Sequence, residues 1–280
     1  MDFKTFSKLI MIEQTLFALP FALLGVLFAG GGTFGDWVWV AVALAAARTA
    51  GMSFNRVIDA DIDAKNPRTA ERALPKGDVS RTEVWLTALA ACLIFVFAAW
   101  MLNPLCFYLS FAGVFLLFTY SFFKRFSSSS HFYLGLIEAA APIGGFLAVT
   151  GEFAFLPFVL GFIILAWIAG LDIVYALQDL EFDRGHGLHS LPVTLGKERA
   201  LQVSALCYGG SIAAMILAGL MSGQKGPYWT GLIAIAAIFV YQQTLARKPD
   251  IKRASLIIFK INGWVAPILL AGALMSYVVK

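Results

Sequence analysis

The sequence predicts an all-α polytopic membrane protein with nine membrane-crossing helices, on three observations. Hydrophobic residues fill 60% of the 280 positions and charged residues 14%, against about 25% charged in an ordinary soluble domain. The mean hydropathy is +0.79, so polar surface is too scarce to coat a soluble globule. The apolar runs are long and unalternating, unlike the ~10-residue alternating strands of a membrane β-barrel.

A bilayer core about 30 Å thick requires about 20 apolar residues per helix. In chain order such runs fall at 9–30, 37–58, 84–102, 105–123, 134–150, 155–178, 201–222, 228–246 and 255–278. The first is too long for a cleavable leader, and no small-residue cleavage site ends it. The second runs straight into "NRVIDADIDAKNPRTAERALPKG". The third, fourth and fifth are short and are expected to tilt little. The sixth closes on "GLDIVYALQDLEFD", a second acidic end, and Lys260 lies within the ninth. No linker divides the chain, so residues 1–280 read as one domain. Cys92, Cys106 and Cys207 sit in or beside these runs without a C-x-x-C and read as small core residues.

Most of the 21 Lys and Arg residues fall in alternate loops. The N-terminus carries Lys4 and Lys8; loop 59–83 carries Lys65, Arg68, Arg72, Lys76 and Arg81. Lys124 and Arg125, then Arg184, Lys197 and Arg199, then Arg247, Lys248, Lys252 and Arg253 follow on the same side, and the opposite side has Lys225 and Lys280. By the positive-inside rule the N-terminus is expected in the cytoplasm. A pI near 9.0 then follows from topology and implies no nucleic-acid partner. No obligate protein partner is evident either; the expected surroundings are the lipid bilayer.

Asn55, Asp59 and Asp63 are spaced i, i+4, i+8. On a helix they share an arc of about 80° and a length of about 12 Å, and Asp61 points elsewhere. Asp179 and Asp183 repeat the i, i+4 pair, with Tyr175 one turn earlier. A Leu-Pro and a Gly follow each cluster (Leu74, Pro75, Gly77; Leu191, Pro192, Gly196), which hints at an internal repeat. A lone acid at a helix end reads as a solvated cap. Four acids in two matched pairs sit against the helix dipole and raise one another's pKa if brought together. A divalent cation removes that conflict. Mg²⁺ suits carboxylates, waters and phosphate oxygens, and no Cys/His set for zinc is present. With Lys65, Arg68, Arg72, Lys124, Arg125 and Arg184 on the same side, the arrangement would clamp a diphosphate, although topology alone accounts for any single one of these bases.

These residues resemble the UbiA superfamily of intramembrane aromatic prenyltransferases. "NRVIDADIDAKNPRTAERALPKG" is similar to its N-x-x-x-D-x-x-x-D motif, "YALQDLEFD" to its second Asp motif and "YSFFKR" to its basic patch. The resemblance spans the whole chain. It implies helices around a central cavity open to the cytoplasmic side and to lipid. It also implies two Mg²⁺ ions, one served by Asn55, Asp59 and Asp63 and the other by Asp179 and Asp183, that bind the diphosphate of a polyprenyl diphosphate. Diphosphate departure then leaves an allylic cation that attacks an electron-rich ring. Lys124 and Arg125 match the family's diphosphate bases, and Arg68 and Arg72, with Lys65 nearby, its cap loop. Tyr120 and Tyr175 are the aromatic faces best placed to steady a cation. Arg48 and Asp172 lie deeper on the motif faces. They either line the cavity, Arg48 holding an acceptor carboxylate, or pair with each other; Glu138 is a further candidate there. His131, His186 and His189 read as solvated loop residues. "LFALPFA", "RALP" and "HGLHS" look more like the menaquinone-pathway branch, with a 1,4-dihydroxy-6-naphthoate-type acceptor, than the 4-hydroxybenzoate branch, which usually carries a basic-Pro-Ile-Gly stretch in span one. The alternative is a transporter with an acidic cytoplasmic vestibule. Transporters tend to place ionisable sites at the midplane of inverted repeats, and these acids sit at the interface.

Overall fold

A computed structural model describes residues 2–279; Met1, Lys280 and the side chains of Glu13, Gln14, Leu16 and Phe17 lie outside the described set. The described chain is helical throughout. In order the α-helices are α1 (Phe3–Ile10), α2 (Ile12–Phe28), α3 (Phe34–Ile58), α4 (Ala60–Asp63), α5 (Ala73–Lys76), α6 (Arg81–Leu102), α7 (Pro104–Thr119), α8 (Ser130–Thr150), α9 (Phe155–Ala176), α10 (Leu180–Gly185), α11 (Leu191–Leu195), α12 (Lys197–Met221), α13 (Gly226–Ala246), α14 (Ile251–Asn262) and α15 (Val265–Val278). Among the described residues, eight segments are long and apolar enough to cross a membrane, α14 and α15 together forming the last. The ninth expected crossing is α2, at 17 residues the short end of what spans a bilayer.

Local chemistry sets the boundaries. Thr33 with Asp36 and Ser80 with Glu83 form capping boxes that start α3 and α6. Asn103 caps α7 and Pro104 follows at its first position, where a missing N–H costs nothing. The structure departs from the expected spans in two places. Met11, in the left-handed region at φ 51, separates the short α1 from α2, and the last crossing breaks at Gly263.

The crossings close into a ring in chain order: α3 packs on α6, α6 on α7, α7 on α8, α8 on α9, α9 on α12, α12 on α13, α13 on α15, α15 on α2 and α2 on α3. A direct α2–α8 contact cuts across it. A Cβ on Gly25 would lie 2.1 Å from the Pro142 carbonyl oxygen, and one on Gly145 would lie 2.1 Å from that of Ala22. Only glycines permit this approach, the small-residue packing of membrane helices. Trp167, Tyr228, Met215 and Phe239 form a packed core beside that crossing. A chamber stays open next to it, with Trp167 in its wall.

Candidate active site

Two connected spaces make the site. The larger, about 670 Å³, is lined mostly by apolar side chains of α2, α3 and α6–α9, and by the α14–α15 break. The smaller, about 210 Å³, is polar and is lined by Asp59, Asp63, Asp179, Asp183, Lys124 and Arg68 among others. Asn55, Arg72, Tyr120, Asp172 and Tyr175 line both. A charged pocket therefore opens directly into an oily chamber.

The two Asp motifs shape the polar pocket through matched backbone breaks. α3 stops at Asp59 (φ −92, ψ 2), and α9 passes through a 3-10 turn, Leu177–Asp179, that stops at Asp179 (φ −102, ψ 5). Both aspartates occupy the sparsely allowed bridge region, where many active-site residues sit. A short helix follows each, α4 and α10, and then a second, α5 and α11. These end at Gly77 (φ 87) and Gly196 (φ 78), positive values that glycine adopts without strain. The sequence repeat hint corresponds to this shared course. The first motif keeps its helical register across the break: the Asp59 N–H donates to Asn55 O at 3.0 Å and the Asp63 N–H to Asp59 O at 2.8 Å. Asp59 and Asp63 are buried, at 1% and 4% exposure.

Most of these acids are held by bases. Lys124 Nζ donates to Asp59 Oδ2 at 2.7 Å, and Arg125 reaches Oδ1 at 3.3 Å while donating to the Ile58 carbonyl at 2.7 Å. Arg72 donates to Asp63 Oδ2 at 2.7 Å. Arg68 binds both oxygens of Asp179 at 2.6–3.1 Å and lies over the Tyr175 ring, 5.4 Å from its centroid. Burial works against the Arg68 charge, but its hydrogen bond to Asp179 and that acid's charge outweigh burial and raise its pKa above the ordinary value. Asn55 donates to Asp59 Oδ2 at 2.9 Å and Asn66 to Asp179 Oδ1 at 3.1 Å. Among the described residues no three acidic, His or Cys side chains converge closely enough to hold a metal. The donor set nevertheless fits Mg²⁺. It offers carboxylate and amide oxygens without thiolates, and the carboxylates face a polar pocket where a cation with its own waters has room.

Several expectations change. Arg48 pairs with Glu138 at 2.5 Å rather than with Asp172. Asp172 pairs with His131, Nδ1 to Oδ2 at 2.7 Å. His131 is 2% exposed and is no solvated loop residue; its Nε2 accepts the Leu191 N–H at 3.2 Å. His186 and His189 are exposed, as expected. Lys65 is exposed and lines neither space, so the fold does not bring it to the site. Asp61 points away and pairs with Arg81 at the exposed surface. Sequence reasoning missed Asn66, Ser121 and Arg56. Asn66 follows Asp63 by three residues and its Asn-Pro turn was a usable signal. Arg56, 4% exposed, donates to Leu9 O and to Asn55 Oδ1, both at 3.3 Å, and no local pattern marks it.

The chain is similar to known proteins in sequence and in fold. The 4-hydroxybenzoate octaprenyltransferase of Methylobacillus flagellatus is 32% identical over 229 residues, 82% of this chain and 77% of the relative. That of Cupriavidus necator is 30% identical over 281 residues, 99% of this chain and 95% of the relative. A solved UbiA homolog from Aeropyrum pernix superposes with a TM-score of 0.88 at 31% identity, over 95% of this chain and 98% of that one. A UbiA homolog from Archaeoglobus fulgidus bound to DMAPP and Mg²⁺ shares the fold, with a TM-score of 0.72 at 20% identity over 99% and 100% of the two chains. These relatives are 4-hydroxybenzoate enzymes by name, whereas the short motifs of this chain look more like the menaquinone-type branch. The transporter alternative falls with the match of residues 18–264 to the UbiA prenyltransferase family. This chain belongs to that family and is an integral-membrane prenyltransferase.

Proposed function

We propose that the chain joins a polyprenyl diphosphate to 4-hydroxybenzoate, a step of ubiquinone-type quinone synthesis, with its basic loops and N-terminus on the cytoplasmic side of a bacterial inner membrane. The carrying observation is the charged pocket that opens into an apolar chamber, with Asn55, Arg72, Tyr120, Asp172 and Tyr175 lining both. That shape suits a ligand with an anionic head and an isoprenoid tail. Mg²⁺ held by Asn55, Asp59, Asp63, Asp179 and Asp183 would supply Lewis-acid assistance to the departing diphosphate. The side chains do the rest. Lys124, Arg125, Arg68 and Arg72 leave their aspartates to bind phosphate oxygens as the head group enters. The tail lies in the chamber, which keeps water from the reacting carbon. Tyr120 and Tyr175 flank the junction, where a ring face stabilises a cation by about 0.5–2 kcal/mol. Arg48, set by Glu138, orients the acceptor carboxylate in the chamber wall.

Product analysis by mass spectrometry, with purified protein, Mg²⁺, and panels of polyprenyl diphosphates and aromatic acids, tests this reading. Ring-prenylated 4-hydroxybenzoate is expected. Absence of that product while another acid is prenylated would remove the acceptor assignment. Lys124→Ala is expected to weaken diphosphate binding roughly ten- to hundredfold, the scale of one charge-assisted hydrogen bond. The KM of the acceptor should stay nearly constant. A rise in the acceptor KM alone would show that Lys124 serves the wrong substrate in this scheme.

A further inference from the structure

The acids that line the oily chamber differ in one respect from those of the polar pocket. Among the described residues, two carboxylates line the chamber, Glu138 and Asp172. Glu138 is neutralised by Arg48. Asp172 is held only by His131, and the hydrogen bonds fix the state of that ring. The Leu191 N–H donates to Nε2, so Nε2 carries a lone pair and the proton sits on Nδ1. Nδ1–H then donates to Asp172 Oδ2 at 2.7 Å. The pair is a neutral imidazole on a carboxylate anion. Its other oxygen, Oδ1, has no hydrogen-bond partner among the described residues, and the side chain is 31% exposed.

The position matters as much as the charge. Asp172 is one of the few residues that line both spaces. A substrate with its diphosphate in the pocket and its tail in the chamber has its reacting carbon at that junction, and the attacked ring carbon lies beside it. Every other acid of the pocket except Asp183 is paired with a base, and Asp183 does not line the chamber.

We propose that Asp172 is the catalytic base that removes the ring proton, and that His131 is the positioning residue that holds its carboxylate in place. The inference rests on the prenyl-transfer reading above. The C–O bond to diphosphate breaks and its electron pair leaves with the diphosphate. A π pair of the ring, from the carbon beside the hydroxyl, forms the new C–C bond. The C–H bond at that carbon then breaks; its pair restores the aromatic ring and the proton goes to Asp172 Oδ1. Because Asp172 also lines the polar pocket, the proton can pass from there to water, away from the oily chamber. The Leu191 N–H is the first donor of α11, which follows the second Asp motif, so the same loop that helps frame the pocket fixes the tautomer of His131. A buried histidine is used here to orient an acid, a reversal of its usual role as the base that an acid orients.

The test compares 4-hydroxybenzoate with the same acid deuterated at both carbons flanking the hydroxyl, in purified wild-type protein, Asp172→Asn, His131→Ala and His131→Asn. Asn at 172 keeps an oxygen to accept from His131, and Asn at 131 keeps an N–H donor. In the wild type, equal rates are expected for the two isotopologues, because loss of the diphosphate is slower than loss of the ring proton. In Asp172→Asn, turnover is expected to fall on the order of 10²–10⁴-fold, the usual contribution of general-base catalysis. A primary isotope effect should appear with that fall. His131→Ala should show a smaller effect of the same sign, and His131→Asn should move it back toward the wild type. Loss of activity in Asp172→Asn with an isotope effect of unity would overturn the base assignment, as would wild-type turnover in that variant. An isotope effect in Asp172→Asn that neither His131 variant shares would overturn the role of His131. Failure of the wild type to prenylate 4-hydroxybenzoate would overturn the acceptor reading, and this inference with it.

Discussion

Asp59→Asn and Asp179→Asn are each expected to cut prenyl transfer by roughly 10²–10³-fold or more, the scale at which one electrostatic partner of a developing anion counts. The protein should remain folded. Asp59 is 1% exposed, and a neutral amide of the same shape is easier to bury than a carboxylate. Its basic partners, Lys124 and Arg125, have side chains 31% and 39% exposed and can be rehydrated when the acid is removed. Asp61 supplies the contrast, two residues away. Its side chain is 79% exposed and paired with Arg81, so Asp61→Asn should change activity by less than about tenfold, as for a surface ion pair. Rates measured beside thermal melting in detergent separate the two outcomes. Equal losses at Asp59 and Asp61, or full turnover in excess EDTA, would refute the assignment of the motif acids to metal and diphosphate.

Gly145→Leu is expected to lose the fold rather than the chemistry. Its Cβ alone would lie 2.1 Å from the Ala22 carbonyl oxygen and 3.2 Å from Val26 N, all backbone that cannot rotate away. Parting α2 from α8 would disturb the packed core around Trp167 as well. Overpacking of an ordinary core costs about 1–3 kcal/mol, and backbone contact has less room to adapt. Gly144 is the control, because it lines the chamber and a Cβ there meets nothing within 4 Å. Gly144→Ala should melt with the wild type while Gly145→Leu aggregates or melts far below it. Matching melting curves for all three proteins would show that the α2–α8 crossing is not a tight contact.

What could be read in advance was what local spacing encodes. Each crossing is a run of apolar residues, so nine were legible. The i, i+4 acids announced themselves because partners one turn apart share a face. Pairings between distant segments left no such trace. His131 follows a run of serines and looked solvated, yet its partner Asp172 is 41 positions away. Arg48 and Glu138 are 90 positions apart, and nothing near Arg48 favoured Glu138 over Asp172. The 3-10 turns at Tyr120–Arg125 and Leu177–Asp179 and the break at Gly263 depend on packing against neighbours. The short motifs "LFALPFA", "RALP" and "HGLHS" pointed to the menaquinone-type branch, whereas the relatives compared are 4-hydroxybenzoate enzymes by name; three short stretches sample little of the chamber wall.

The pairing of motif acids with motif bases has a thermodynamic consequence. On the proposed reading, a cation that takes Asp59 or Asp179 displaces Lys124 or Arg68, and the freed base is then available to a phosphate. A phosphate that draws the base away leaves an acid uncompensated and ready for a cation. Each ligand therefore removes part of the cost of admitting the other, and linkage makes that help equal in both directions. The proposed scheme therefore expects the resting pocket to discriminate against either one alone, a free metal ion or a stray anion gaining little without its counterpart.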